Sequence, residues 1–131
     1  MKKLTFIIIP GLIIFAILLS GCASVNKSDP SDAAFDYLKA LSEKDKIKVI
    51  NLSCKSWEEN ASLEVDALLS VGASLNNVQC QVTGKEGDFQ LVQCSGMLDL
   101  TYNDEIRSID LSSRVYSMAF EDGQWRVCSY K

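Results

Sequence analysis

Two kinds of residue in this 131-residue chain could do chemistry, and a third is missing. Cysteines stand at Cys22, Cys54, Cys80, Cys94 and Cys128. Carboxylates lie near tyrosines at Asp36-Tyr37 and along Asp99, Tyr102 and Asp110. There is no histidine. A Ser-His-Asp or Cys-His nucleophile therefore cannot be assembled, and the His-containing zinc sites are excluded. The side chain that most often moves protons near neutral pH is gone as well. What is left for proton chemistry is a carboxylate base working with a tyrosine or a second acid. Such a carboxylate needs a buried setting that shifts its pKa. The pattern argues against one. Asp36 and Asp110 fall on polar faces, Asp99 alternates away from Leu98 and Leu100, and Tyr37 and Tyr102 border apolar stripes, where a tyrosine packs with a wet hydroxyl. The expectation is no catalytic residue, no metal, no cofactor and no enzyme.

Cys22 is set apart by what precedes it. Lys2 and Lys3 form a basic start, Leu4 to Leu19 is uncharged and apolar, and two small residues follow. That is the layout of a secretory signal. The run Leu19-Ser20-Gly21-Cys22 resembles the lipobox of a bacterial lipoprotein signal. The resemblance implies diacylglyceryl on the Cys22 thiol, cleavage before it, and Cys22 as the mature N-terminus. A spanning helix fits less well: the apolar run has 16 residues, short of the roughly 20 needed, and Pro10-Gly11 interrupts it. The expected organisation is a signal at 1–21, a lipidated cysteine and tether at 22–29, and one domain at 30–131. The expected location is the extracytoplasmic face of the cell membrane or outer membrane. Ala23 is not acidic, which by the same resemblance favours the outer membrane where the host has one.

Losing Lys2 and Lys3 with the signal takes 13 basic residues to 11 against 17 acids, a net charge of −6. Such a surface argues against nucleic acid and against a polybasic grip on anionic lipid. Four cysteines remain, and an even number in an exported domain reads as two disulfides. Gaps of 25, 13 and 33 residues contain no Cys-x-x-Cys pair, which argues against a four-cysteine zinc site.

The elements that must position these residues come in two runs. Asp29-Pro30-Ser31-Asp32 is a helix start, with a capping Asp and Pro at the first position. Ala34, Phe35, Leu38 and Leu41 recur at helical spacing; Tyr37 borders that stripe, and Asp36, Lys39 and Ala40 face away. A short second helix runs from Asp45 through Ile47, Ile50 and Leu52. Ser56-Trp57-Glu58-Glu59 is a capping box opening a third helix, with Ala61, Val65, Leu68 and Leu69 on one side and Gly72 as its stop. After Ser74 the period becomes two. Leu75 to Val82 is a strand. Val92, Cys94, Leu98, Leu100 and Tyr102 share one face of a second strand, with Gly96 as a bend or bulge. Ile109, Leu111, Val115 and Ala119 share a face of the third, which also carries Ser113 and Ser117. In the last strand Trp125 and Val127 alternate with Arg126 and Cys128. The fold class is α+β: three helices on a curved four-stranded antiparallel meander.

Two segments carry a further resemblance. Ala33 to Asp45 is an amphipathic helix ending in an acidic loop. Glu121-Asp122-Gly123-Gln124-Trp125-Arg126-Val127-Cys128 is a glycine turn followed by an inward Trp. Together they resemble the first helix and last strand of the NTF2-like (cystatin-like cone) superfamily, and more narrowly its small exported lipoproteins with four cysteines. The strand order of that superfamily implies Cys80–Cys94 and Cys54–Cys128; residue spacing alone leaves the other two connectivities open. In the chain-entropy picture the shorter loop contributes about 3 kcal/mol and the longer roughly 4.5. The resemblance also implies a pocket between helices and sheet. Phe35, Leu38, Leu68, Val92, Leu98, Leu100, Tyr102, Leu111, Val115 and Trp125 are the inward set that would line it, or simply be the core. Trp57, Arg107 and Arg114 could form a protein-binding surface; the plainer expectation is that Trp57 packs back on the domain and that the arginines are solvated strand ends near acids such as Asp110. The functional expectation is a lipid-anchored, extracytoplasmic, non-catalytic binding module for an envelope protein or small ligand. The alternatives are a carrier of an apolar small molecule or lipid, and a pocket enzyme using carboxylate acid–base chemistry of the isomerase kind. The last requires an inward Asp or Glu in the pocket.

Overall fold

A computed structural model describes residues 29–131; the expected signal at 1–21, Cys22 and nearly all of the expected tether lie outside the described residues. Helix α1 spans Pro30–Ser42. Asp29 caps it, its carboxylate accepting from the backbone N–H of Ser31 at 2.8 Å, and Pro30 takes the first position, where no N–H is needed. Helix α2 (Lys46–Asn51) is capped by Asp45 and buries Val49. A 3₁₀ turn, Lys55–Trp57, leads into α3 (Glu58–Leu68). The expected capping box does not form. The chain approaches α3 through the tighter turn, so Trp57 rather than Ser56 occupies the cap and no side chain bonds the first N–H groups.

Five strands follow: β1 (Gly72–Glu86), β2 (Phe89–Tyr102), β3 (Glu105–Asp110), β4 (Val115–Glu121) and β5 (Gln124–Tyr130). All pairings between them are antiparallel. The expected third strand is thus two. A 3₁₀ turn at Leu111–Ser113 breaks it, held by the Asp110 carboxylate, which accepts from the Ser112 N–H and hydroxyl. β2 is shared between the pieces: residues 90–93 pair with β4 and residues 97–102 with β3. Gly96 lies between the two sections at φ +97°, the bend that its type suggested.

The core sits between α1 and the sheet, with α1 touching β1, β2, β4 and β5. Tyr37, Leu38, Val92, Cys94, Leu111, Tyr116, Met118 and Val127 are fully enclosed. Several expected faces are corrected. On α1, Tyr37 and Ala40 are buried while Phe35 is only half-buried, so the apolar stripe is centred on Ala34, Tyr37, Leu38 and Leu41. Ile47 of α2 is 75% exposed. In β4 the inward pair is Tyr116 and Met118, with Val115 and Ala119 half-buried, because the 3₁₀ turn resets the phase of the alternation. Ser113 is exposed. Gly72 opens β1 rather than closing a helix. No helix among the described residues is long and apolar enough to cross a membrane.

The cysteines meet two by two. Cys54 lies 4.8 Å (Cα–Cα) from Cys128, and Cys80 lies 4.0 Å from Cys94, directly opposite it in the β1–β2 register. Both pairs are at disulfide distance. Among the described residues the four sulfurs do not gather at one point; Cys54 and Cys128 have only the exposed carboxylate of Glu121 beside them.

Candidate functional site

The feature with chemistry in it is a cleft of about 260 Å³ between α3 and the sheet. Its walls are apolar: Leu41 from α1, Ala67 and Leu68 from α3, Leu98 and Leu100 from β2, and Ile109 from β3. Its remaining lining is Glu64, Arg114 and Tyr130. Of the residues expected from sequence, Leu68, Leu98 and Leu100 line it. Leu38, Val92 and Leu111 are core, and Phe35, Val115 and Trp125 are half-buried elsewhere, Trp125 packing edge-on against Phe120 at 5.3 Å. Tyr102 is 60% exposed and lines a neighbouring hollow with Val71, Leu100, Glu105 and Arg107.

None of the carboxylates singled out in the sequence is inward. Asp36 is exposed. Asp99 accepts from Ser108 and Asn76 on the outer surface. Asp110 is spent on its turn, where the Ser112 hydroxyl and N–H hold its carboxyl below the usual range. The inward acid is Glu64. Its Oε2 accepts from the Tyr37 hydroxyl at 3.1 Å, and that hydroxyl in turn accepts from Trp57 Nε1 at 3.3 Å. Trp57 therefore packs back, standing edge-on to Tyr130 with ring centroids 5.5 Å apart. Arg114 is not a solvated strand end. Half-buried, it lies over the Tyr130 ring, 4.6 Å from the centroid, a cation–π placement. The buried Tyr116 ring packs tilted against Tyr130, centroids 5.5 Å apart; its hydroxyl makes no well-directed hydrogen bond and lies in the field of Arg114.

Charge and burial act together here. Burial raises the Glu64 carboxyl, and hydrogen bonds from Tyr130 and Tyr37 and the charge of Arg114 pull it part of the way back. Burial, then the Glu64 charge, lifts the Tyr37 hydroxyl well above the usual phenol range. Burial pushes Tyr116 up to about 12 against the pull of Arg114. For Arg114 burial works against the charge, but Tyr130, Tyr116 and Glu64 outweigh it and the net direction is up. Among the described residues neither Glu64 nor Arg114 is in an ion pair within 4.0 Å. An acid and a base thus face one cleft without neutralising each other directly.

The raised carboxyl makes a stability prediction. A carboxyl with its folded pKa above its unfolded value binds more protons in the folded state across that window. Stability is therefore fullest below the ordinary carboxylate range and falls as pH rises through the raised value. Glu64→Gln removes this loss. The variant gains on the natural protein as pH rises from the ordinary carboxylate range through the raised value, read as the difference in melting temperature at each pH. A difference that stays constant contradicts the assignment.

Sequence reasoning missed Glu64 and Tyr130, and it put Arg114 at a solvated strand end or protein-binding surface rather than in the cleft. A signal for Glu64 was present: Ala61, Glu64, Val65 and Leu68 are one face at i, i+3, i+4 and i+7, so the acid falls inside an apolar stripe. Tyr130 is inward because of a bulge. Ser117 pairs with Ser129 and Met118 with Val127, so Cys128 is the extra residue and the alternation flips after it. A hollow around Cys80 and Cys94 is lined by Gln79, Gln81, Gln93 and Ser95 and holds no titratable group.

No family model matches the chain. No curated protein matches it either. Solved structures do. An NTF2-like protein with a cystatin-like fold from Novosphingobium aromaticivorans is similar at a TM-score of 0.51 and 14% identity, over 76% of this chain and 75% of that one. The helical cell shape determining protein Pgp2 from Campylobacter jejuni is similar at a TM-score of 0.51 and 9% identity. That match covers 76% of this chain, which spans only 38% of Pgp2. At such identities the likeness shows the fold alone: helices and an antiparallel sheet in the NTF2-like, cystatin-like arrangement.

Proposed function

We propose that this chain is a lipid-anchored, extracytoplasmic, non-catalytic binding module that holds a small, largely apolar molecule in the cleft between α3 and the sheet. The observation that carries the reading is the cleft itself: six apolar residues converge on a phenol and on a half-buried carboxyl and a guanidinium that are in no ion pair within 4.0 Å among the described residues. Recognition sites have that make-up, with apolar walls and a few placed polar groups. At about 260 Å³ it falls just under the roughly 300 Å³ at which pockets for drug-sized ligands begin, so the ligand is small. Support for the anchor comes from the layout around Cys22, and support for an oxidising compartment from the two cysteine pairs.

The test is native mass spectrometry of the protein released from its own membranes. A small non-covalent mass is expected beside acyl mass on Cys22. Ala67 is exposed at the cleft, so Ala67→Trp plugs it without touching the core, and at least about tenfold of the non-covalent signal is lost, the equivalent of 1.4 kcal/mol. The same small mass on both proteins would show that it sits elsewhere.

Glu64 favours a second reading. An inward carboxyl with a raised pKa beside a tyrosine is what carboxylate acid–base catalysis of the isomerase kind requires. Turnover by the natural protein across an isomerase panel, abolished in Glu64→Gln, would select that reading over binding alone.

A further inference from the structure

We propose that the cleft selects a ligand whose polar head is a carboxamide or another neutral group with an adjoining donor and acceptor, joined to a compact apolar body. This rests on the reading of the cleft as a small-molecule site and specifies its chemistry. The head is read from two facts. Glu64 and Arg114 both line the cleft, and among the described residues neither is in an ion pair within 4.0 Å.

A carboxylate only accepts hydrogen bonds and offers about four lone-pair directions; a guanidinium only donates, through five N–H groups. At Glu64 one direction is used by Tyr37 at 3.1 Å. Lone-pair directions are left over. Arg114 is half-buried over the Tyr130 ring and has donors left for the cleft. An acceptor-only group and a donor-only group facing one space are the complement of an amide. Its carbonyl accepts from Arg114 and its N–H donates to Glu64.

Charged heads fit worse on each side. A carboxylate head gains Arg114 but meets the Glu64 charge. An ammonium head gains Glu64 but meets Arg114. Each leaves one part-buried protein group facing a like charge, which costs more than a missing hydrogen bond. The body is set by the walls. An apolar cavity of about 150 Å³ accepts a benzene-sized ligand, and this cleft of about 260 Å³ takes a somewhat larger one.

The experiment titrates the full-length protein in lipid nanodiscs with hexanamide, hexanoate and hexylamine, three probes with one body and different heads, by calorimetry at neutral pH. The expected order has hexanamide at least about tenfold tighter than either ion. Glu64→Gln removes the repulsion, and hexanoate then gains at least about tenfold. Arg114→Gln does the reverse, and hexylamine gains. Hexanoate or hexylamine binding the natural protein as tightly as hexanamide would overturn the head-group assignment and leave the cleft reading standing. Measurable binding of none of the three to the natural protein would overturn the assignment and the cleft reading together.

Discussion

Replacing Cys54 and Cys128 together with alanine lowers the stability of the domain by roughly 4.5 kcal/mol, against about 3 kcal/mol for Cys80 and Cys94. The difference follows from the loops closed: the pairs are 74 and 14 residues apart in sequence. A longer loop removes more freedom from the unfolded chain. Against the 5–15 kcal/mol typical of folded domains, the larger figure is a substantial fraction of the whole. The structure adds a local consequence. Cys54 ends the segment after α2, and β5 holds that segment by main-chain bonds of 2.8 Å, Cys54 N–H to the Val127 carbonyl and Val127 N–H to the Leu52 carbonyl. Gln124 and Arg126 side chains donate to Asn51 and Ser53 carbonyls in the same seam. Three residues on, Trp57 donates to Tyr37 behind Glu64. Cutting the Cys54–Cys128 link therefore loosens the back of the cleft as well as the fold, whereas the Cys80–Cys94 link only ties β1 to β2 across the hairpin. Urea melts of the two double variants at matched slopes give the comparison. Equal losses, or a loss below about 1 kcal/mol for Cys54 and Cys128, contradict it.

Gly96→Ala is the second large effect, at about 3 kcal/mol or more. At φ +97° an alanine is strained by its own backbone, which alone costs about 1–3 kcal/mol. Its Cβ would also stand 2.5 Å from the Asn77 carbonyl oxygen and 2.7 Å from that of Asn76. Both are main-chain atoms, held where β1 shifts register between Asn76 and Gln79, so neither can swing aside as a side chain would. Gly123 is the control. Its φ is +81°, but an added Cβ meets nothing within 4 Å, so Gly123→Ala carries the backbone cost alone. Similar losses for the two variants in thermal or urea melts would mean that the contact with β1 is not what requires glycine at 96. The corner has a functional side. It divides the β4-paired section of β2 from the β3-paired section that supplies Leu98 and Leu100 to the cleft wall.

The start of α1 was legible because a cap is local chemistry: Asp29 and Pro30 act within three residues. Gly96 as a bend was legible from its residue type, whereas Cys80 opposite Cys94 came only from the strand order that the family resemblance implies, since residue spacing leaves the other connectivities open. The break at Leu111–Ser113 was hidden because Ile109, Leu111 and Val115 continue a period of two straight across it. Its one local sign was an Asp two residues before a Ser, a pair that forms a side-chain-to-backbone turn and competes with a strand. The site was harder for the same physical reason throughout. Glu64 went unread, although its spacing from Ala61 and Leu68 put it among the apolar residues. Arg114 and Tyr130 reach the cleft only after the 3₁₀ turn and the bulge at Cys128 shift the alternation, and such phase shifts are set by partners distant in sequence.

Methyl NMR of the protein before and after addition of a small-molecule extract of its host cells tests the central claim most directly. Occupancy of the cleft predicts that methyl signals of Leu41, Ala67, Leu98 and Ile109 move, with Val49 and Val92 of the closed core unmoved, and that Ala67→Trp abolishes the change. Shifts confined to exposed apolar residues away from the cleft, such as Ile47 or Val82, or an unchanged spectrum, would contradict a ligand held between α3 and the sheet.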